Sequence, residues 1–274
     1  MIPSEIKFVL SQLGGSANKR LGQHFLIDKK TLEAIVETAD IQAQDRILEI
    51  GPGLGVLTRE LIRKGGEVIA IERDRRFVEY LVETIHESPL RVVQGDAAQI
   101  DWHEIVGDRD WKFISNLPYS IASLALRKAL YSPHPPKTMV VLIQREVAER
   151  GIAKDGKISL LSLMVALASS EARIIRRVPA GAFFPPPKVE SAILQITPLS
   201  NEERLKKWGI EPEKVMEIAK VGFAHPRKKL VSNLKSLVGT QLVAPIRNIE
   251  NARAEDLSPK EWTELAVSIV QNKK

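Results

Sequence analysis

Between residues 45 and 144 the chain alternates short apolar runs with segments of helical spacing, and no other feature constrains its fold as much. DRILEIG (45–51), EVIAIE (67–72), LRVVQGD (90–96), KFISNLP (112–118) and TMVVLIQ (138–144) read as strands. Their apolar residues are contiguous, as strands covered on both faces require. VLTRELIRKG (56–65), RDRRFVEYLVETIHES (73–88) and SIASLALRKALYS (120–132) read as helices between them. This alternation predicts an α/β fold with a mostly parallel sheet between two layers of helices.

Beyond residue 144 the pattern changes. KISLLSLMVALASSE (157–171) reads as a helix that is apolar nearly all round. ARIIRRV (172–178) and SAILQIT (191–197) read as strands on either side of a proline-rich loop, AGAFFPPPK (180–188), and predict an antiparallel, hairpin-like end to the sheet. From residue 201 onward the periodicity is helical only, with Ser258-Pro259 and Glu261 marking a helix start. Two domains follow, 1–200 and 201–274. Residues 201–274 carry 14 Lys and Arg against 10 Asp and Glu, so four of the six excess positive charges lie in the last quarter. An anionic partner such as nucleic acid is the natural counterpart of that balance.

Composition removes several chemistries. With no cysteine there is no disulfide, thiolate zinc site, iron–sulfur cluster or Cys nucleophile. The five histidines show no metal-ligand spacing, so no metal site is expected. The apolar stretch 158–170 is too short to span a bilayer, and residues 1–15 lack a signal peptide's features, so the expected location is cytoplasmic.

The strand ends carry the chemistry. After the first strand comes Gly51-Pro52-Gly53-Leu54-Gly55, a turn that lets backbone approach a ligand and opens a helix whose first N–H groups are free. It suits an NAD site, another nucleoside site or simply a tight turn. Glu72 ends the second strand, where a carboxylate can accept both ribose hydroxyl hydrogens of either NAD or S-adenosylmethionine. Asp96 ends the third, and an acid there can accept from the exocyclic amine of a cofactor's adenine, which an NAD fold does not require. Three successive strand ends then form one trough.

Asn116-Leu117-Pro118-Tyr119 ends the fourth strand and matches the methylation of an adenine amine. That nitrogen is a poor nucleophile because its lone pair is delocalised into the ring. Two acceptors, the Asn116 side-chain oxygen and a nearby backbone carbonyl, can bind its hydrogens and favour a tetrahedral nitrogen. Pro118 stiffens the turn and removes a competing N–H. Tyr119 offers a π-face for the base. The methylated ammonium loses its proton readily, so no prior general base is needed.

At these residues the chain resembles the small-subunit ribosomal RNA adenine dimethyltransferases, the kasugamycin-susceptibility enzymes and their relatives. The matching segments are KRLGQHFLID (19–28), LEIGPGLGVLT (48–58), IERD (71–74), GDA (95–97), NLPY (116–119), FFPPPKVESA (183–192) and FAHPRKKLVSNL (223–234). The resemblance implies a Rossmann-like, seven-stranded S-adenosylmethionine-dependent methyltransferase sheet followed by a small α-helical domain. It implies that His24 and Leu26 border the cofactor, with Gly51 and Gly53 at its methionine end, Glu72 on its ribose and Asp96 on its adenine. Asn116 would lie between cofactor and target nitrogen. Tyr119 would stack on the target base and Phe183 on its other face, although the adjacent Phe184 could also serve. The implied reaction dimethylates two adjacent adenosines near the 3′ end of small-subunit rRNA in the assembling 30S subunit; a monomer is expected, because one enzyme must fit onto one subunit surface. Arg227, Lys228, Lys229 and Lys235 are the candidate RNA contacts of the second domain, and Arg173, Arg176 and Arg177 are further cations near the sixth strand. The alternatives are the sister class that methylates large-subunit rRNA and confers macrolide resistance, an assembly factor independent of catalysis, and, more distantly, an NAD-dependent dehydrogenase.

Overall fold

The computed structural model describes residues 1–17, 22–86, 89–152, 157–238 and 249–271. The chain opens with α1 (Pro3–Gln12), β1 (Phe25–Leu26) and α2 (Lys29–Ala39). Alternation follows through β2 (Arg46–Ile50), α3 (Val56–Arg63), β3 (Glu67–Glu72), α4 (Arg75–Thr84), β4 (Leu90–Gln94), α5 (Trp102–Val106), β5 (Trp111–Asn116), α6 (Ala122–Leu130) and β6 (Thr138–Gln144). Then come α7 (Arg145–Ile152), α8 (Leu160–Ala168), β7 (Ser169–Val178), β8 (Phe183–Phe184) and β9 (Ser191–Pro198). The last elements are α9 (Asn201–Trp208), α10 (Pro212–Gly222), α11 (Leu230–Val238) and α12 (Pro259–Gln271).

Seven strands form one sheet in the order β4-β3-β2-β5-β6-β9-β7, and β1 with β8 forms a separate ribbon. The first five strands of that order pair in parallel, whereas β9 runs antiparallel to β6. This is the mostly parallel sheet that the alternation predicts and the seven-stranded, Rossmann-like sheet that the resemblance implies. Its inner strands β2, β3, β5, β6 and β9 are largely buried because both faces are covered, whereas the edge strands β4 and β7 are half-buried or exposed along most of their length. Ile35, Val36 and Ala39 of α2 and Leu57 and Leu61 of α3 pack in one cluster with Ile47, Val68, Ala70, Val140 and Leu142 of the sheet. Each Ile, Leu or Val side chain so buried contributes roughly 1.5–3 kcal/mol.

Several elements depart from the sequence reading. It passes over α1 and α2, although Asp28 caps α2 by accepting from the Thr31 N–H at 2.8 Å. The helix expected to run to residue 171 stops at Ala168. The Ser169 hydroxyl donates to the Val165 carbonyl at 2.7 Å, taking an acceptor of the last turn, and the backbone turns extended there to begin β7. Residues 87 and 88 of the expected helix 73–88, and 19–21 of the matching N-terminal segment, lie outside the described residues.

The chain divides into two compact units, 1–148 with 173–198 and 149–172 with 199–274. Residues 149–172, which a boundary at 200 places with the sheet, therefore group with the C-terminal helices. Within that second unit α8 is buried through Leu161, Leu163, Met164, Val165, Leu167 and Ala168. The Trp262 ring is fully buried and stacks on Phe223, with centroids 5.6 Å apart. Gly222 admits this ring, since a Cβ there would lie 2.5 Å from Trp262 Cη2 and 2.9 Å from Leu230 Cδ1. Gly222→Ala is expected to lower stability by about 1–3 kcal/mol through overpacking, read by urea unfolding; an unchanged midpoint would show that the ring has room to shift.

Candidate active site

The strand order reverses between β2 and β5, because the chain moves from β2 to β3 and β4 on one side and returns to β5 on the other. Open α/β sheets bind ligands in the crevice outside the carboxyl ends of the strands at this point. The ladder opens accordingly. β2 and β5 pair from Arg46↔Trp111 to Leu48↔Phe113. Beyond that register the Ser115 hydroxyl bridges the gap, accepting from the Ile50 N–H at 3.3 Å and donating to the Ile50 carbonyl at 2.7 Å. Gly51 and Asn116 stand at the two sides of this opening.

Gly51 has φ 69° and donates its N–H to the Ile71 carbonyl at 2.8 Å. A Cβ at Gly51 would lie 3.0 Å from Pro118 Cγ, so the glycine turn and the tetrapeptide after β5 are in direct contact. Gly53, with φ 57°, donates its N–H to Glu72 Oε2 at 3.1 Å. The other Glu72 oxygen accepts the Asp74 N–H at 2.8 Å. Burial raises the pKa of Glu72, and these backbone N–H bonds oppose the rise. A carboxylate offers about four acceptor sites, so Glu72 keeps capacity beyond these N–H bonds. Asp96 Oδ1 accepts the Ala98 N–H at 2.9 Å, and Oδ2 lies 3.4 Å from Arg73, whose mostly exposed guanidinium holds it weakly.

Glu49 also faces this cleft and is fully buried. Desolvation pushes its pKa up to about 8, the Thr58 hydroxyl donating at 2.7 Å pulls it back, and the neighbouring Glu72 adds to the rise.

Across the opening, Asn116 Nδ2 points at the His24 carbonyl, 3.5 Å away. Leu117 is 2% exposed and lines the cleft. The Tyr119 hydroxyl bonds Ser191 Oγ at 2.6 Å, and its ring lies nearly parallel to that of His24 with centroids 5.8 Å apart. His24 Nδ1 lies 2.7 Å from the Pro185 carbonyl; a carbonyl only accepts, so Nδ1 carries the proton. The β1–β8 ribbon sets these positions by pairing Leu26 with Phe183 and Phe25 with Phe184. Phe183 lines the cleft, whereas Phe184 packs with Ile6, Leu10, Phe25 and Phe77 beneath Lys7.

One cleft, about 1160 Å³ with the open solvent at its mouth included, brings together the residues that the sequence assigned to cofactor and catalysis. His24, Leu26, Gly51, Gly53, Glu72, Asp96, Asn116, Leu117, Pro118, Tyr119 and Phe183 all line it. The four candidate RNA contacts lie in the second unit. Arg227, Lys228, Lys229 and Lys235 are exposed. Lys228 and Lys235 border a hollow with His225, Ser232 and Asn233, and Lys229 donates to Asn251 Oδ1 at 2.7 Å.

A family model described as "Ribosomal RNA adenine dimethylase" matches residues 14–271. The chain belongs to this family. It is 38% identical over 264 residues to "Ribosomal RNA small subunit methyltransferase A" of Dehalococcoides mccartyi, covering 93% of this chain and 89% of the relative. The same name belongs to a relative from Acaryochloris marina, 38% identical over 263 residues and covering 92% of this chain and 96% of the relative. Among solved structures, the 23S rRNA methyltransferase ErmE aligns with TM-score 0.67 and 25% identity, over 90% of this chain and 100% of that one. A dimethyladenosine transferase from Plasmodium falciparum aligns with TM-score 0.75 and 23% identity, over 91% of this chain and 98% of that one, and shows the shared fold. As a ribosomal RNA adenine dimethylase, the chain is a methyltransferase.

Sequence reasoning about this dimethylase missed Glu49 as a buried acid, Ser115 as the bridge at the opening and Ser191 as the Tyr119 anchor. Glu49 stood in the glycine motif with no role assigned. Ser115 and Ser191 are serines within apolar strands, a local signal that each hydroxyl needs a partner when buried.

Proposed function

We propose that this enzyme transfers methyl groups from S-adenosylmethionine to the exocyclic nitrogens of two adjacent adenosines near the 3′ end of small-subunit rRNA, late in 30S assembly. The observation that carries the reading is that the Asn116–Tyr119 turn shares one cleft with the Glu72 and Asp96 carboxylates.

The donor set suits the cofactor. Glu72 has acceptor capacity left for ribose hydroxyls, and Asp96 can take the adenine amine through Oδ2. Gly51 and Gly53 present backbone to the methionine end, with His24 and Leu26 closing the wall. When bound, S-adenosylmethionine supplies a methyl group on a positively charged sulfur. Everything else is positioning by the protein. With Asn116 Nδ2 directed at the His24 carbonyl, the amide oxygen is the acceptor presented to the target amine. The Leu117 carbonyl is the second acceptor. Tyr119, tethered through Ser191, takes one face of a base that has left its stack, and Phe183 takes the other. Arg227, Lys228, Lys229 and Lys235 hold phosphates of the RNA. The enzyme works as a monomer in the cytoplasm. Among the described residues no helix is long and apolar enough to cross a membrane.

The 25% identity to ErmE favours a second reading, an adenine of large-subunit rRNA. The relatives named for the small subunit, at 38% identity, weigh against it. Separated, unmodified subunits incubated with methyl-labelled cofactor decide the matter. Label is expected in the small subunit, as two adjacent dimethyladenosines on mass mapping. Label confined to the large subunit would overturn the proposal.

A further inference from the structure

Lys128 lies in the last turn of α6, the helix that begins just after the Tyr119–Ile121 turn. Its ammonium donates to three backbone carbonyls, those of Ile100 at 2.6 Å and of Ala97 and Ala98 at 3.2 Å each. Three hydrogen bonds are all that an ammonium can donate. It also sits 5.3 Å from the centre of the Trp102 ring, whose own N–H donates to the Ala97 carbonyl at 2.8 Å. The three carbonyls belong to the turn that follows Asp96. In that turn the Gln99 and Ile100 N–H groups donate to the Asp96 carbonyl at 2.9 and 3.0 Å, and the Ala98 N–H donates to Asp96 Oδ1. Ala98, Gln99 and Ile100 thus aim their N–H groups at Asp96, while the carbonyls of Ala97, Ala98 and Ile100 converge on one cation. Burial lowers the Lys128 pKa, and Asp101 and Asp96 offset that in part.

We propose that Lys128 is a positioning residue that fixes the turn carrying Asp96, and thereby the enzyme's preference for an adenine-bearing cofactor. This rests on the assignment of Asp96 to the cofactor's adenine amine. Lysine suits the task because its compact ammonium meets three converging carbonyls, which the planar fork of arginine cannot. Methionine keeps the apolar stem over Trp102 and removes every donor. Among the residues that line the cleft Lys128 is not found, so its effect on cofactor has to pass through the turn.

The test titrates the full chain by calorimetry with S-adenosylhomocysteine and with its hypoxanthine counterpart, which replaces the amine by a carbonyl. Lys128→Met and Lys128→Arg are each expected to bind the adenine ligand about tenfold more weakly, as loss of hydrogen bonds to a charged group implies. Both should bind the hypoxanthine ligand almost as the parent does. At saturating cofactor their kcat should match the parent's, and thermal unfolding should confirm that they are folded. Lys128→Met combined with Asp96→Asn should weaken the adenine ligand no further than Asp96→Asn alone. If both ligands weaken equally, or neither weakens, while Asp96→Asn erases the preference, Lys128 has no positioning role and the Asp96 assignment survives. If Asp96→Asn leaves the preference intact, the assignment itself falls and takes this proposal with it.

Discussion

Asn116→Ala is expected to reduce methylation of unmodified small subunits by about 10²–10³-fold, the usual effect of deleting one preorganised polar group at a reacting atom. The side chain is one of two proposed acceptors on the target amine. Without it the nitrogen's lone pair stays in the ring and the sulfonium carbon meets a poor nucleophile. The fold should be untouched, since Asn116 is only half-buried and its side-chain contact to His24 is long at 3.5 Å. The thermal unfolding temperature and the affinity for S-adenosylhomocysteine should therefore stay close to the parent's. Full dimethylation by this variant would remove Asn116 from the reaction. The same variant separates catalysis from assembly: if it still restores subunit maturation, the chain has a role that needs no methyl transfer.

Glu49→Gln is expected to remove the pH dependence of stability that Glu49 contributes. The unfolded carboxyl ionises near 4.5 and the folded one near 8. Between those values the folded state keeps a proton that the unfolded state has lost, so stability falls as pH rises through this window and levels off above it. At 1.36 kcal/mol per unit the whole effect is no more than about 5 kcal/mol. Glutamine cannot ionise. The variant should therefore gain on the parent between pH 5 and pH 8.5 in urea unfolding, with the difference growing as pH rises. Glu72 also has a raised pKa and its charge adds to that of Glu49, so the difference between the two proteins reads Glu49 together with its repulsion from Glu72. A pH-independent difference would mean that Glu49 is ionised throughout in the folded protein.

The central sheet and the strand-end residues were legible because their signals are local and repeated. Contiguous apolar runs mark β2, β3 and β6 as strands covered on both faces, and Glu72, Asp96 and Asn116 at or just past the ends of β3, β4 and β5 are residue types that would be out of place in a core. Gly51, Glu72, Asp96 and Asn116 could be placed side by side because the parallel topology puts strand ends side by side. The β1–β8 ribbon was not legible. Two residues such as Phe25-Leu26 have no periodicity, and only pairing across more than 150 residues makes them strands. That ribbon decides that Phe183 and not Phe184 faces the cleft, which no spacing could tell. Lys128 was invisible for a related reason. On its own helix it reads as a solvated cation, and its three partners come from a turn about 30 residues earlier. Ser169 ended a helix that polarity alone would have continued, through a bond from its own side chain.

The path of the chain through the second unit has a consequence for inheritance. Residues 149–172 are spelled out before the last strands of the sheet, yet they fold with 199–274. A recombination event that joined the first 200 codons of one relative to the tail of another would split a single packed body between two ancestries. Leu161, Leu163, Met164, Val165 and Leu167 of one parent would have to fit around the helices of the other. Exchange of the tail should therefore succeed only between near relatives, or when both of its pieces travel together.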